Sequence, residues 1–141
     1  MKFIADNCEY IIKRITKIIC NSDYTTINLL NDKSIFNTFM MDNNLSNYIP
    51  KIYTKHNVKF PCILKLPITY GGLNSKICQN EDNLLKYLNK EYIIQEYIKG
   101  NEECSFHMYI ENGNIIYSIY YKIIHESDYY IQCGRMISLK Y

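Results

Sequence analysis

FPCILKL at residues 60–66, GGLNSK at 71–76 and YIIQEYIKGNEECS at 92–105 are the stretches that decide how this chain folds. Apolar residues lead into Lys65, which ends a hydrophobic strand and enters a loop, Ile68 to Lys76, holding Gly71, Gly72 and Ser75. Glycines let backbone N–H groups approach an anion closely, and a lysine at the strand end adds a point charge. Either feature alone is weak, because most strand-end lysines are simply solvated and Gly-Gly pairs occupy ordinary surface turns. Their order is the signal. A second apolar strand, Tyr92 to Gln95, runs into Glu96, Tyr97 and Ile98, and Gly100 is followed by the acidic pair Glu102 and Glu103.

Working outward, Asn80 is placed to cap a helix from Glu81 to Leu88, with Leu84, Leu85 and Leu88 on one face and Glu81 and Asp82 near its positive end. Beyond Gly100, Cys104, Phe106, Met108 and Ile110 alternate with Ser105, His107 and Tyr109, the pattern of a half-buried strand. Asn112-Gly113 is a strong hairpin signal, and Ile115, Tyr117, Ile119, Tyr121 and Ile123 would give the return strand its buried face. His107 reads as a residue that packs or hydrogen-bonds within this sheet rather than as a catalyst. Short strands are expected at Tyr129 to Cys133 and Arg135 to Leu139.

On the N-terminal side, Lys51 to Thr54 and Phe60 to Leu66 read as strands flanking a polar turn, and Pro50 forces an extended approach. A helix opens after Asp32, with Ile35, Phe36, Phe39 and Met40 as its stripe, and stops at Asn43 and Asn44. Thr25 to Leu30 is short and β-branched, which suits a strand. Cys8, Ile11, Ile12, Ile15, Ile18 and Ile19 follow helical spacing, with Asp6 or Asn7 available as cap. Helices and antiparallel strands thus mix, and the expected class is α+β.

The 141 residues suit one domain, and 48% hydrophobic with 21% charged residues excludes a disordered chain. A net charge of +2 with interspersed signs argues against a nucleic-acid partner, which wants a clustered basic face. The fifteen tyrosines fit a bias toward A/T-rich codons better than a base-stacking surface. Six cysteines without a C-x-x-C pair lack metal-ligand spacing, and most of them read as core residues in a reducing compartment. Charges interrupt the N-terminal apolar pattern, and no run approaches ~18 apolar residues, so a membrane span is not expected and a cytoplasmic location is.

From about Asn31 to about Lys122 the order of these segments resembles the ATP-grasp family of nucleotide-dependent ligases. The resemblance implies a small lobe of strands and helices followed by the start of a larger antiparallel-sheet lobe. The boundaries would be an N-terminal helical segment (1–50), the small lobe (51–98) and a partial large lobe (99–141), packed as one unit. It implies that Lys33 and Lys65 contact phosphates and that Gly71, Gly72, Ser75 and Lys76 belong to the flexible loop closing over them. Glu96, Tyr97 and Ile98 resemble the hinge whose backbone reads the adenine edge, with the Tyr97 ring on the lobe surface. Glu102 or Glu103 resembles the acidic residue that accepts hydrogen bonds from the ribose. The spacing from the glycine selects Glu102; the Glu-aromatic-Ser run of the family, matched by Cys104-Ser105, selects Glu103.

The implied cofactors are ATP and Mg²⁺, with a small carboxylate as substrate. Mg²⁺ needs hard oxygen ligands, and after Lys122 only Glu126 and Asp128 are acidic, with no Glu-x-Asn pair; no metal ligand is assigned. The chain is therefore expected to be a compact or truncated version of the fold, or a piece of a longer gene product. Two functions compete: an ATP-binding domain related to carboxylate-amine or carboxylate-thiol ligases acting through an acylphosphate, and a catalytically inactive remnant serving as a binding or assembly module.

Overall fold

The computed structural model describes residues 23–88, 90–125 and 127–128, and the backbone of 135–140. The helix expected over Cys8 to Ile19 and the strand expected at Tyr129 to Cys133 lie outside the described residues.

Asp23 starts helix α1 (Tyr24–Asn31), its carboxylate accepting from the Thr26 backbone N–H at 2.9 Å and from the Thr26 hydroxyl at 2.7 Å. The strand expected at Thr25 to Leu30 is therefore a helix. A side-chain acceptor satisfies a first-turn donor, and packing on the next helix overrides weak local β preference. Asp32 then caps α2 (Lys33–Asp42), accepting from Ser34 N at 2.8 Å and Ile35 N at 3.2 Å. The helix ends as expected: Asn43 Nδ2 donates to the Phe39 carbonyl at 2.8 Å, and Asn44 turns the chain with φ +60°. A 3₁₀ turn, Ser46–Tyr48, leads to Pro50.

A four-stranded antiparallel sheet follows, built from β1 (Ile52–Tyr53), β2 (Cys62–Lys65), β3 (Lys76–Cys78) and β4 (Ile93–Glu96) in the order β1-β4-β2-β3. The three-residue β3 falls where only a loop was expected; Ile77 and Cys78 extend the sheet by pairing with Ile63 and Cys62. On one face Cys62, Leu64, Cys78 and Ile94 form the core with Leu84, which comes from α3 (Glu81–Leu85). Asn80 caps α3 through Asn83 N at 3.0 Å. This helix ends at Leu85 rather than Leu88, yet Tyr87 and Leu88 still pack against the core from the following turn. Cys62 and Cys78 are free, fully buried and opposed in register; burial, helped by the neighbouring Cys78, pushes the Cys62 thiol up to about 11.

The second sheet has the order β5-β6-β7, with β5 (Glu102–Glu111), β6 (Asn114–Ile124) and β7 (Arg135–Lys140). Asn112 at φ +49° and Gly113 at φ +77° form the expected hairpin turn. Counting symmetrically from that turn would pair Glu103 with Lys122. A bulge intervenes: Ile110 pairs with Ile115 but Tyr109 with Tyr117, so Ile116 is an extra residue and Glu103 faces Ile123. Phe106 consequently lies opposite Tyr120 rather than Ile119, and the expected apolar faces do not match across the hairpin. Near the turn they are exposed too: Phe106 is 65% accessible, Met108 52% and Ile115 60%, and only from Ile119 onward is the return strand shielded.

Leu64 carries the core, at 1% exposure with neighbours on three strands. Replacing Leu64 with Ala should cost about 2–5 kcal/mol, read as a fall in urea midpoint at unchanged slope.

Candidate functional site

Successive strand residues face opposite ways, so Leu64 in the core sends its neighbours Ile63 and Lys65 to the other side of the sheet. There a cleft of about 400 Å³ is lined by Lys33, Lys65, Gly71, Gly72, Ser75, Glu96, Tyr97, Ile98 and Glu103, together with Pro50, Ile63 and Thr69. A larger and shallower hollow of about 630 Å³ beside β1 shares Pro50 and Glu96 with it but holds neither the glycine loop nor Lys33, Lys65 and Glu103. The smaller cleft is the one that gathers the candidate residues Lys33, Lys65, Gly71, Gly72, Ser75 and Glu103.

Two expected residues do not line it. Lys76 is the register partner of Leu64, and directly opposed residues share a face, so Lys76 leaves on the core side, opposite to Lys65. Glu102 lies on the other face of β5 from Glu103; its carboxylate instead meets Lys122 Nζ at 2.7 Å on an exposed rim.

Each lining residue has a local cause for its position. The Gly71 and Gly72 backbones take φ +56° and +72°, a conformation that side-chain-bearing residues adopt at a cost. Leu73 N donates to the Tyr70 carbonyl and Ser75 N to the Gly72 carbonyl, both at 3.0 Å, folding the loop on itself and burying Ser75. Lys33 opens α2 and is tied to this loop: its backbone N–H donates to the Pro67 carbonyl at 2.9 Å. Its ammonium reaches the Pro67 carbonyl at 3.3 Å, the Thr69 carbonyl at 3.2 Å and the Thr69 hydroxyl at 3.3 Å. Thr69 carried no signal in the sequence, because its role as an anchor for a lysine thirty-six residues away exists only in the fold.

The hinge is fixed from the far end of the hairpin. Tyr97 does not lie on the surface as expected: its ring is buried, and its hydroxyl donates to the Asp128 carbonyl at 2.9 Å. Gly100 N reaches the same carbonyl at 3.4 Å, and Lys99 pairs with the Asp128 carboxylate at 3.5 Å. His107, on the face of β5 that carries Glu103, shares a 2.7 Å hydrogen bond between its Nε2 and the Tyr121 hydroxyl and stacks on that ring.

The charged side chains lining the cleft are two lysines, Lys33 and Lys65, and two glutamates, Glu96 and Glu103. Burial lowers the Lys65 pKa below its usual 10.5, the charge of Lys33 lowers it further, and Glu103 acts in the opposite sense. Magnesium is held by six oxygens, often one or two carboxylates plus substrate phosphates. Among the described residues no three His, Cys, Asp or Glu come close enough together to hold a metal ion. Among them also, no helix is long and apolar enough to cross a membrane.

Two lysines, a glycine loop, the end of an extended strand and a carboxylate thus meet at one cleft of an α+β domain. A family model, the RimK-like ATP-grasp domain, matches residues 22–135, and the chain belongs to that family. No curated protein and no solved structure matches it. Membership makes this a domain of the ATP-grasp ligase type, one that binds ATP.

The lowered Lys65 pKa has a stability consequence. At neutral pH the ammonium is charged in both folded and unfolded chains, and folding bears the full cost of burying it. As pH rises through the lowered folded value toward 10.5, the folded lysine sheds its proton first and that cost disappears. Lys65→Met should therefore be more stable than the wild type at pH 7, with the gap shrinking toward pH 10.5. Urea unfolding of both proteins across this range checks it; a gap that widens with pH contradicts the assignment.

Proposed function

We propose that ATP lies in this cleft with its phosphates between Lys33, Lys65 and the Gly71–Ser75 loop, its adenine edge along the backbone of Glu96 to Ile98, and its ribose hydroxyls on Glu103. One observation carries the reading: α2, the end of β2, the glycine loop, the hinge and the start of β5 all send a residue into one 400 Å³ space. On this reading Glu103, not Glu102, is the ribose acceptor, because strand alternation turns only Glu103 inward. The strands of residues 52–96 then act as the small lobe and those of 102–140 as the beginning of the large one.

The chemistry would be that of a carboxylate-amine or carboxylate-thiol ligase. A substrate carboxylate oxygen attacks the γ-phosphorus, the bond to the β–γ bridging oxygen breaks, and ADP leaves with the bond's electron pair. An amine or thiol then attacks the acylphosphate carbon and expels phosphate. Lys33, Lys65 and the loop amides stabilise charge on the phosphoryl oxygens, which is where phosphoryl transfer gains its rate. Burial strengthens the Lys65 contribution, since a partly desolvated ammonium interacts more strongly with an anion than a hydrated one does. The free thiols of Cys62, Cys78 and Cys104 fit a cytoplasmic setting.

A second reading, a module that binds ATP without turning it over, is favoured by the sparse acidic donors among the described residues. Both readings require ATP binding, so that comes first. ATP at ~100 times its dissociation constant should add about 2.7 kcal/mol of stability, a rise of several degrees in melting temperature for a domain of this size. Lys65→Met should lose about 1.5–3 kcal/mol of ATP affinity, the range of a charge-assisted contact. A melting curve blind to ATP refutes the proposal. Phosphate release with Mg²⁺, a carboxylate pool and an amine then separates ligase from passive binder.

A further inference from the structure

A buried histidine stands behind the cleft, and the nucleotide reading above leaves it unused. His125 follows the last residue of β6, and its side chain is 3% exposed, against 46% for Glu103. Its backbone N–H donates to the Asn101 carbonyl at 2.8 Å, which carries the hairpin pairing one step beyond the strand end. Glu103 pairs with Ile123, so His125 is its diagonal neighbour on the same face. From there the His125 Nε2 lies 3.2 Å from Glu103 Oε2.

Two physical problems are solved by that contact. A half-exposed glutamate samples several rotamers, and a ligand hydroxyl must otherwise bear the cost of ordering it. Glu103 also shares the cleft with Lys65, whose opposite charge attracts it. A direct pair between them would withdraw both groups from a ligand. The side chain that hydrogen-bonds Glu103 among the described residues is His125 instead. One carboxylate oxygen is taken by the imidazole and the other is left to accept from the cleft.

We propose that His125 is a positioning residue for ribose recognition, holding the Glu103 carboxylate away from Lys65 and toward the nucleotide hydroxyls. The inference rests on the proposed ribose role of Glu103, and the test separates the two. ATP and 2′,3′-dideoxy-ATP are titrated into the full chain as wild type, Glu103→Gln, His125→Gln and His125→Asn, with a melting curve for each. Gln can place a donor near the Nε2 position, whereas Asn reaches only as far as Nδ1.

The wild type should prefer ATP by about tenfold or more, the scale of a hydrogen bond to a charged group. Glu103→Gln and His125→Asn should each reduce that preference to about twofold, and His125→Gln should keep most of it. Binding of the dideoxy compound should not change in either histidine variant, a pattern that a loss of general stability does not produce. In the unaltered protein, the ring ¹⁵N signals of His125 should shift on adding ATP and stay in place with the dideoxy analogue. A preference that survives in His125→Asn but is lost in Glu103→Gln overturns the role of His125 alone. Equal binding of both nucleotides by the wild type overturns the ribose reading, and this inference with it. A His125 ring indifferent to ATP also overturns the inference, whatever the variants do.

Discussion

Lys65 carries a positive charge to a place where water only partly reaches it, and much of the domain is arranged around that fact. The lysine is there because β2 is central in its sheet and alternates strictly: Cys62 and Leu64 are committed to the core, so Ile63 and Lys65 must face the cleft. Burial and the neighbouring Lys33 both work against its proton, and Glu103 is the group that opposes them. Glu103 is in turn engaged by His125. Lys33 and Lys65 are matched in number by the carboxylates of Glu96 and Glu103, so it is the placement of the two ammonium groups beside the glycine loop, not a net charge, that the cleft offers.

The surrounding elements hold this arrangement at a small number of contacts. Lys33 is latched to the loop backbone by Pro67 and Thr69, which joins the start of α2 to the glycine loop. Asp128 gathers Tyr97, Lys99 and Gly100 from the hinge, which ties the end of the hairpin to the segment joining the two sheets. The acceptors of both clusters lie outside the regular elements. Both consist of polar groups paired across loops, where a backbone without ladder partners must find its hydrogen bonds elsewhere.

What could be read in the sequence was what short-range physics decides. Asp32, Asn80 and Asn112-Gly113 announce a helix start, a second helix start and a tight turn, because capping and positive φ are settled within a few residues. Thr25 to Leu30 misled because the cap that makes it helical, Asp23, lies outside the β-branched run. Three-residue β3 has too little pattern to be seen, and missing it left Lys76 assigned to the loop. For the same reason most of the cleft was legible from residues that follow one another, while the choice between Glu102 and Glu103 was not. That choice depends on which way one strand is turned about its axis, and it is fixed by partners some twenty residues away, Ile123 and His125 among them. The exposed apolar residues near the hairpin turn, such as Phe106 and Ile115, show the converse: alternation identifies a face but does not say that anything covers it.

The bulge at Ile116 has a consequence for how this protein tolerates insertions and deletions. Between the turn and the bulge, β6 pairs in one parity; from Tyr117 on it pairs in the other. Deleting Ile116 itself would leave Tyr117 opposite Tyr109 and the later pairing intact, but a single residue inserted between Tyr117 and Tyr120 would act on the sheet as a frameshift acts on a message: every later residue changes sides. Tyr121, Ile123 and His125 would exchange places with Tyr120, Lys122 and Ile124, setting a lysine rather than Ile123 opposite Glu103. Beyond the bulge the hairpin can therefore vary in the identity of its exposed residues but not in their number, and chain length between Tyr117 and His125 is itself part of the cleft's specification.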